Sequence, residues 1–309
     1  MTVHAYKVYE LSLQSEFPIP ELLPDSTAQA GRGAFDVRVS FGVIPPDWQS
    51  PTTLGADGQQ ESWAERRAEA NETLCVFSGV GRYLVRAGHE VTVEPEPGVD
   101  ASLMRHLLLG PVLAHLLWQR GVFTLHSSVV DIGGHYAGFV GVSGEGKSTT
   151  AAALEARGHA LVCDDIAALT QRDGRFWVLP AFPRIRLYGD SVEGIGDDPE
   201  RYPWVHPLIA KRSKDVRRFI SHAVPLDRLY VLATGDQLAI EPMAPRAAIM
   251  ELIRHTYYVH QYAPLFGFKQ QMEQAAAVVM KVGVFKLTRP KDLALLPELV
   301  GLLEAAAAT

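Results

Sequence analysis

Apolar and polar residues alternate through much of the first hundred positions. Residues 5–13 alternate around Tyr6, Val8 and Glu10, and residues 35–43 do the same, so each predicts a half-buried strand. Residues 75–77 and 82–85 form two short apolar arms around Gly79 and Gly81, the pattern of a hairpin. Residues 50–65 are polar and rich in Gly and Gln, which predicts a loop. Near residue 101 the period changes. Residues 102–119 repeat with helical spacing, interrupted at Gly110-Pro111. Residues 123–132 and 136–142 then read as two strands about the turn Gly133-Gly134, and residues 148–157 as a helix stopped by Gly158. Residues 161–163 read as a short buried strand. Further strands are expected at 226–233, 239–242 and 282–287, and helices at 246–255, 268–280 and 293–308. The chain therefore divides into a small β-rich N-terminal domain, 1–100, and an α/β domain, 101–309.

The segment between the strand at 136–142 and the helix at 148–157 carries the first chemistry. Gly141, Val142, Ser143, Gly144, Glu145, Gly146, Lys147 and Ser148 fit G-x-x-x-x-G-K-[ST]. Glycines let the backbone curl until successive N–H groups point at phosphate oxygens, and the helix behind presents its positive end. Lys147 adds a charge for the β- and γ-phosphates, and the Ser148 hydroxyl suits Mg²⁺. Thr149 follows in the helix start. The strand–loop–helix context is the one this motif requires, so the segment predicts a nucleoside triphosphate with Mg²⁺ as ligand, with ATP and GTP both open.

Asp164 and Asp165 end the strand after the loop helix. In an α/β sheet the C-terminal ends of strands converge on the ligand crevice, so the pair is expected to face the γ-phosphate. One carboxylate would serve the metal and the other would take a proton from an incoming hydroxyl; the spacing alone leaves open which does which. Adjacent carboxylates do not ionise independently, so a raised pKa on the base is expected. His126, on the strand before the loop, is placed to hydrogen-bond one of them. Arg184 and Arg186 alternate on a strand and share one face, a position suited to phosphate. The run from Lys211 to Arg218 holds five cations, and suits either a solvated face or a clamp on an anion. His255, Tyr257 and Tyr258 read as packing at a helix end.

Composition narrows the setting. With 47% hydrophobic and 21% charged residues the chain is globular in type, and a net charge of −6 gives no global field favouring nucleic acid. Its two cysteines, Cys75 and Cys163, suit no disulfide framework or zinc cluster. No apolar signal segment opens the chain. The longest apolar run, 107–118, is interrupted by His115 and is shorter than the roughly 20 residues a membrane span needs. A cytoplasmic protein with no membrane partner is expected.

The stretch from His126 through Val129-Val130-Asp131-Ile132, then Ser143-Gly144-Glu145-Gly146-Lys147-Ser148, and finally Arg157-Gly158-His159-Ala160-Leu161-Val162-Cys163-Asp164-Asp165 resembles the catalytic domain of HPr kinase/phosphorylase. That family reads as a His before a Val-Asp-Ile strand, a Gly-Asp-Ser-Gly-x-Gly-Lys-Ser loop, and Arg-Gly-His-x-Leu-Val-x-Asp-Asp. The resemblance implies a P-loop kinase domain of the HPr kinase and phosphoenolpyruvate carboxykinase type, with ATP and Mg²⁺ as cofactors. It implies transfer of the γ-phosphoryl group to a serine of a peptide or small protein. It also implies that His126 tunes Asp165 as the base while Asp164 lies nearer the metal. A homo-oligomer is left open. The first hundred residues do not resemble that family's N-terminal domain. In place of its Arg-Gly-Leu-Gly segment the chain has Arg184-Ile185-Arg186-Leu187-Tyr188-Gly189. Tyr9 to Ser15, Pro18 to Leu22 and Pro180 to Leu187 are instead similar to HPr-kinase-related lasso peptide kinases, which implies a ribosomal precursor peptide as acceptor. The competing expectations are a nucleotide-gated binding protein without transfer, and HPr kinase proper.

Overall fold

The computed structural model describes residues 3–26, 34–48, 62–67, 69–207 and 209–308. It forms two compact units, residues 1–122 and 123–309.

In the first unit the described strands are β1 (His4–Val8), β2 (Leu11–Ser15), β3 (Leu23–Pro24), β4 (Val37–Phe41), β5 (Ser62–Arg67), β6 (Glu72–Phe77), β7 (Gly81–Arg86) and β8 (Glu90–Pro95). They make one sheet in the order β3-β1-β2-β4-β8-β7-β6-β5. The single strand expected over 5–13 is instead a hairpin. Val8 pairs with Leu11, and the chain reverses at Tyr9 and Glu10, with φ of 52° and 61°. Two successive left-handed residues make the tight turn that twisted hairpins favour. With no glycine at either position, the sequence carries no turn signal. The arms β6 and β7 match the expected hairpin. Of the loop expected at 50–65, residues 50–61 lie outside the described residues, whereas Ala64 and Glu65 pair with Cys75 and Leu74 in β5.

The helical run is α1 (Ala101–Leu107), a π turn over Leu108–Val112 and α2 (Leu113–Gln119). The break falls at the expected Gly110-Pro111, where Gly110 takes the non-helical pair φ −104°, ψ −106°. By length and composition alone this run, with a mean hydropathy of 1.2, is apolar enough to cross a bilayer, but 67% of it is buried in the fold. The expected domain boundary after residue 100 differs from the division at 122. The helical run packs with the first unit: Tyr83 donates its hydroxyl to the Met104 carbonyl, and Gln119 bonds Thr73 and Val85.

The second unit contains β9 (Phe123–Ile132), β10 (His135–Val140), α3 (Lys147–Ala156), β11 (Ala160–Cys163), β12 (Ile166–Arg172), β13 (Arg175–Leu179), β14 (Arg184–Leu187), α4 (Gly189–Gly194), β15 (Trp204–His206), β16 (Ile209–Asp215), β17 (Val224–Pro225), β18 (Arg228–Thr234), β19 (Ala239–Pro242), α5 (Pro245–Arg254), α6 (Val259–Phe266), α7 (Phe268–Val279), β20 (Gly283–Arg289) and α8 (Leu296–Ala307). The main sheet runs β17-β13-β12-β9-β10-β18-β20-β19, with β11 paired to β9. The α/β assignment holds. A hydrophobic layer joins Phe139, Tyr230, Leu232 and Leu287 of the sheet to Ala151, Ala152 and Leu154 of α3 and Leu299 and Leu303 of α8. The alanines of α3 allow its backbone to lie close against the sheet, which fixes the helix start at the sheet edge.

Strand direction then positions the site. β10 is parallel to β18 and β18 to β20, while β9 is antiparallel to β10, β11 and β12. The C-terminal ends of β10, β11, β18 and β20 therefore meet the early part of β9 along one edge. A separate small sheet, β14-β16-β15, carries the basic residues.

Candidate active site

The loop after β10 has the shape its glycines permit. Gly144 and Gly146 are left-handed at φ 85° and 82°, and α3 begins at Lys147. The Lys147 ammonium is buried, 5% exposed, and donates to the carbonyls of Gly141 at 2.7 Å and Val142 at 3.2 Å. Burial pushes it down to about 8, against the pull of Asp165 and Asp164. Among the described residues this buried ammonium is hydrogen-bonded to carbonyl oxygens, a site that an anion would stabilise. Gly141 is buried, Ser143 and Gly144 are exposed, and Glu145, Gly146 and Ser148 are partly buried. Thr149 turns elsewhere, its hydroxyl donating to Ser191 Oγ at 3.0 Å.

The two aspartates occupy different surroundings. Asp164, 5% exposed, accepts from Ser128 Oγ at 2.6 Å and from the Arg186 backbone N–H at 3.1 Å. Asp165 sits in the left-handed region at φ 75°, in a three-residue turn closed by Ile166 N–H on the Asp164 carbonyl at 3.0 Å. Such a turn is strained for any non-glycine residue, and it swings the Asp165 side chain out of the strand. There its Oδ1 lies 3.2 Å from His126 Nδ1, and its Oδ2 accepts from Tyr257 Oη at 3.2 Å and lies 3.6 Å from Arg186 Nη1. His126 Nδ1 is also 3.1 Å from the Asp165 carbonyl. Both neighbours are acceptors, so Nδ1 carries the proton.

The electrostatics correct one expectation. Burial pushes the Asp165 carboxyl up, but the His126 hydrogen bond and charge, Arg186 and Lys211 outweigh it and hold the group well below the usual carboxylate range. His126 therefore lowers the pKa of its aspartate. Tyr257 is pushed the opposite way by burial and by Asp165, so it stays a protonated donor.

The basic residues separate by function. Arg184 and Arg186 do share a face, opposite the buried Ile185 and Leu187. Arg186 joins the cluster; Arg184 pairs with Asp215 at 3.0 Å. On β16, Lys211 lies over the Tyr188 ring at 5.1 Å and acts electrostatically on Asp165 and Lys147. Arg212 is buried against Trp204 and Glu200, and Lys214 against Glu155 at 2.5 Å. Within β16, Arg212 and Lys214 are thus structural, while Lys211 acts on the site.

Tyr257 reads as helix-end packing in the sequence yet bonds Asp165, and Ser128 and Arg289, which no sequence motif singles out, bond Asp164 and the Glu145 carbonyl. Arg289 ends β20, and the convergence of strand ends was the signal that could have found it. Among the described residues no three His, Cys, Asp or Glu side chains form a cluster that could hold a metal. Ser148 and Asp164 supply hard oxygen donors of the type Mg²⁺ takes alongside phosphate oxygens.

No family model matches the chain. It is similar to the HPr kinase/phosphorylase of Streptococcus thermophilus, at 31% identity in one strain and 33% in another, over 206 residues in each case. That stretch is 61% of this chain, which spans 64% of the length of these curated relatives. A solved structure described as the Hpr(Ser) kinase/phosphatase from Coxiella burnetii aligns with 60% of this chain and 99% of its own, at 18% identity and a TM-score of 0.31, too low to bear on the fold.

Proposed function

We propose that the chain is an ATP- and Mg²⁺-dependent serine kinase that phosphorylates a peptide or protein, with a lasso-type precursor peptide as the preferred acceptor. The observation that carries this reading is the meeting, at one sheet edge, of an anion-ready glycine loop with an aspartate held by His126, Tyr257 and Arg186. The printed name of the relatives, HPr kinase/phosphorylase, agrees with it. A cytoplasmic setting goes with the same reading.

In the proposed reaction the loop N–H groups and Lys147 hold the β- and γ-phosphates, which frees the ammonium from the carbonyls of Gly141 and Val142. Mg²⁺, held by Ser148 and Asp164 with the nucleotide, would neutralise phosphate charge. The Asp165 carboxylate accepts the proton of the acceptor hydroxyl as that oxygen bonds to the γ-phosphorus and the bond to the β-phosphate oxygen breaks, releasing ADP. His126 and Tyr257 fix the carboxylate so that one lone pair faces the hydroxyl. Arg186 and Lys211 stand where charge spreads over the transferring group.

The test is a transfer assay read by mass spectrometry. The protein, ATP and Mg²⁺ are incubated with a serine-ended precursor-like peptide and, separately, with HPr, beside a Lys147→Ala control. Phosphate on the peptide alone, absent in the control, supports the reading. Phosphate on HPr shifts the acceptor to HPr, the reading favoured by the relatives' name. ATP binding without transfer to either favours a nucleotide-gated binding protein.

A further inference from the structure

The phosphate loop is gripped by a residue that the transfer step does not use. Arg289 closes β20 and is 8% exposed. Its Nη2 donates to the Glu145 carbonyl at 2.6 Å, and its Nη1 to the Pro290 carbonyl at 3.3 Å. Its Nε is buried and meets no acceptor among the described residues. A Cβ on Gly146 would stand 2.1 Å from Nη2, so the guanidinium fills the space that a side chain there would need. The side chain of the same Glu145 is held by Lys291 at 3.0 Å and by Thr234 at 3.2 Å. Residues at the end of β18 and at and just past the end of β20 thus converge on one loop residue, Glu145, with Arg289 on its peptide carbonyl and Thr234 and Lys291 on its carboxylate.

Peptide geometry gives that grip a consequence. In a planar trans peptide the C=O and the following N–H point in opposite directions. A Glu145 carbonyl directed at Arg289 therefore turns the Gly146 N–H away from Arg289, toward the side that a phosphate occupies in such a loop. A glycine-rich segment left to itself would sample many orientations of this peptide and lose that freedom on binding. Burying a guanidinium with an unsatisfied N–H costs stability, and burial pulls Arg289 below the usual range for its type. Such a cost is retained where a site needs a fixed geometry.

We propose that Arg289 is the positioning residue of the phosphate loop, aiming the Gly146 N–H at the phosphates before the nucleotide arrives. The inference rests on reading the loop as a nucleotide site. It acts through the backbone and is independent of the nucleoside, so its effect falls equally on ATP and on inorganic tripolyphosphate.

The experiment is calorimetric titration of the full chain with each ligand in Mg²⁺, together with thermal melts without ligand. The variants are Arg289→Met, which keeps the length and removes the charge, and Arg289→Lys, which keeps the charge and loses the fork. Both are expected to keep the wild-type melting temperature or exceed it, while binding ATP and tripolyphosphate about 10- to 100-fold more weakly. In transfer assays KM for ATP should rise and KM for the acceptor should stay put. Millimolar guanidinium should restore part of the affinity of Arg289→Met. Wild-type affinity in a folded variant overturns the proposal, as does a loss confined to ATP. A melting temperature that falls in both variants in step with binding overturns it too, since that is a structural brace. If the wild-type chain binds neither ligand, the nucleotide reading itself fails, an outcome separate from the others.

Discussion

Replacing each aspartate in turn by asparagine separates the two roles that spacing alone left open. Asp164 satisfies two donors, the Ser128 hydroxyl and the Arg186 N–H, inside the fold. Asparagine offers one acceptor oxygen. If it serves the Arg186 N–H, the amide must be met by Ser128 turning its own lone pair inward, and one buried group loses a partner. The cost of such a loss is about 1–3 kcal/mol. At roughly 2–4 °C per kcal/mol, Asp164→Asn should lower the melting temperature of its unit by several degrees. It should also weaken the Mg²⁺ dependence of nucleotide binding. Asp165 is different. Its φ of 75° is one that asparagine tolerates as well as aspartate, and its side chain is 25% exposed. Asp165→Asn keeps an acceptor for Tyr257, while the Asp165 backbone carbonyl still accepts from His126 Nδ1; it loses the carboxylate oxygen that faces that N–H and the charge that faces Arg186, so stability should fall by about 1–3 kcal/mol. Turnover should fall about 100- to 10,000-fold with ATP affinity intact. The assay is phosphoryl transfer to the acceptor peptide, read beside melting curves and ATP titrations. An Asp165→Asn enzyme with near wild-type turnover would refute the assignment. So would an Asp164→Asn protein as stable as wild type yet inactive, for that outcome exchanges the roles.

Three further outcomes follow from the same site. Gly146→Ala places a Cβ 2.1 Å from Arg289 Nη2 at a φ of 82°, so ATP affinity should fall; in an Arg289→Ala background the added loss should be smaller, and additive titrations would contradict the contact. Burial first, then Lys147, His126 and Arg254, push His255 down to about 4 from 6.5, with the Glu251 carboxylate 3.4 Å away opposing them. The unfolded chain therefore takes up this proton first, so stability is full above pH 6.5, declines as pH falls toward 4 and levels off below, a loss of about 3 kcal/mol. Melting curves of wild type and His255→Gln should diverge over that window; parallel curves sink the assignment. Lys214→Met leaves the buried Glu155 carboxylate without its cation, with the Arg217 N–H as its remaining partner among the described residues, and should cost about 3–5 kcal/mol. Adding Glu155→Gln should recover much of the melting temperature; no recovery would show that packing, not charge, was lost.

Local signals made part of this protein legible. The glycine loop between a strand and a helix could be read because each of its properties is carried by residues adjacent in sequence, and the placement of Asp164 and Asp165 beside it because a strand end is a place whatever the sheet order. The hairpin turn at Tyr9-Glu10 was not legible, since neither residue advertises the left-handed backbone it adopts. Strand β16 was hidden for a related reason. Arg212 and Lys214 look solvated in sequence, and only the aromatic face of Trp204 and the carboxylate of Glu155, brought from elsewhere in the chain, make their burial possible.

The sign of the Asp165 shift shows the limit most clearly. From sequence, an adjacent carboxylate predicts a raised pKa. In the fold, the bonds to Ser128 and the Arg186 N–H anchor Asp164 on its own donors, while the turn points Asp165 at three cationic or polar groups from three different elements. Neighbours in sequence thus diverge in environment, and the group that decides the charge of Asp165 is not the residue beside it. Tyr257 follows the same logic. It reaches Asp165 because its backbone N–H bonds the Thr124 carbonyl and His126 N–H bonds the His255 carbonyl, which stitches the end of α5 to β9. A side chain that reads as packing becomes part of the site through two backbone hydrogen bonds that no residue-by-residue pattern encodes.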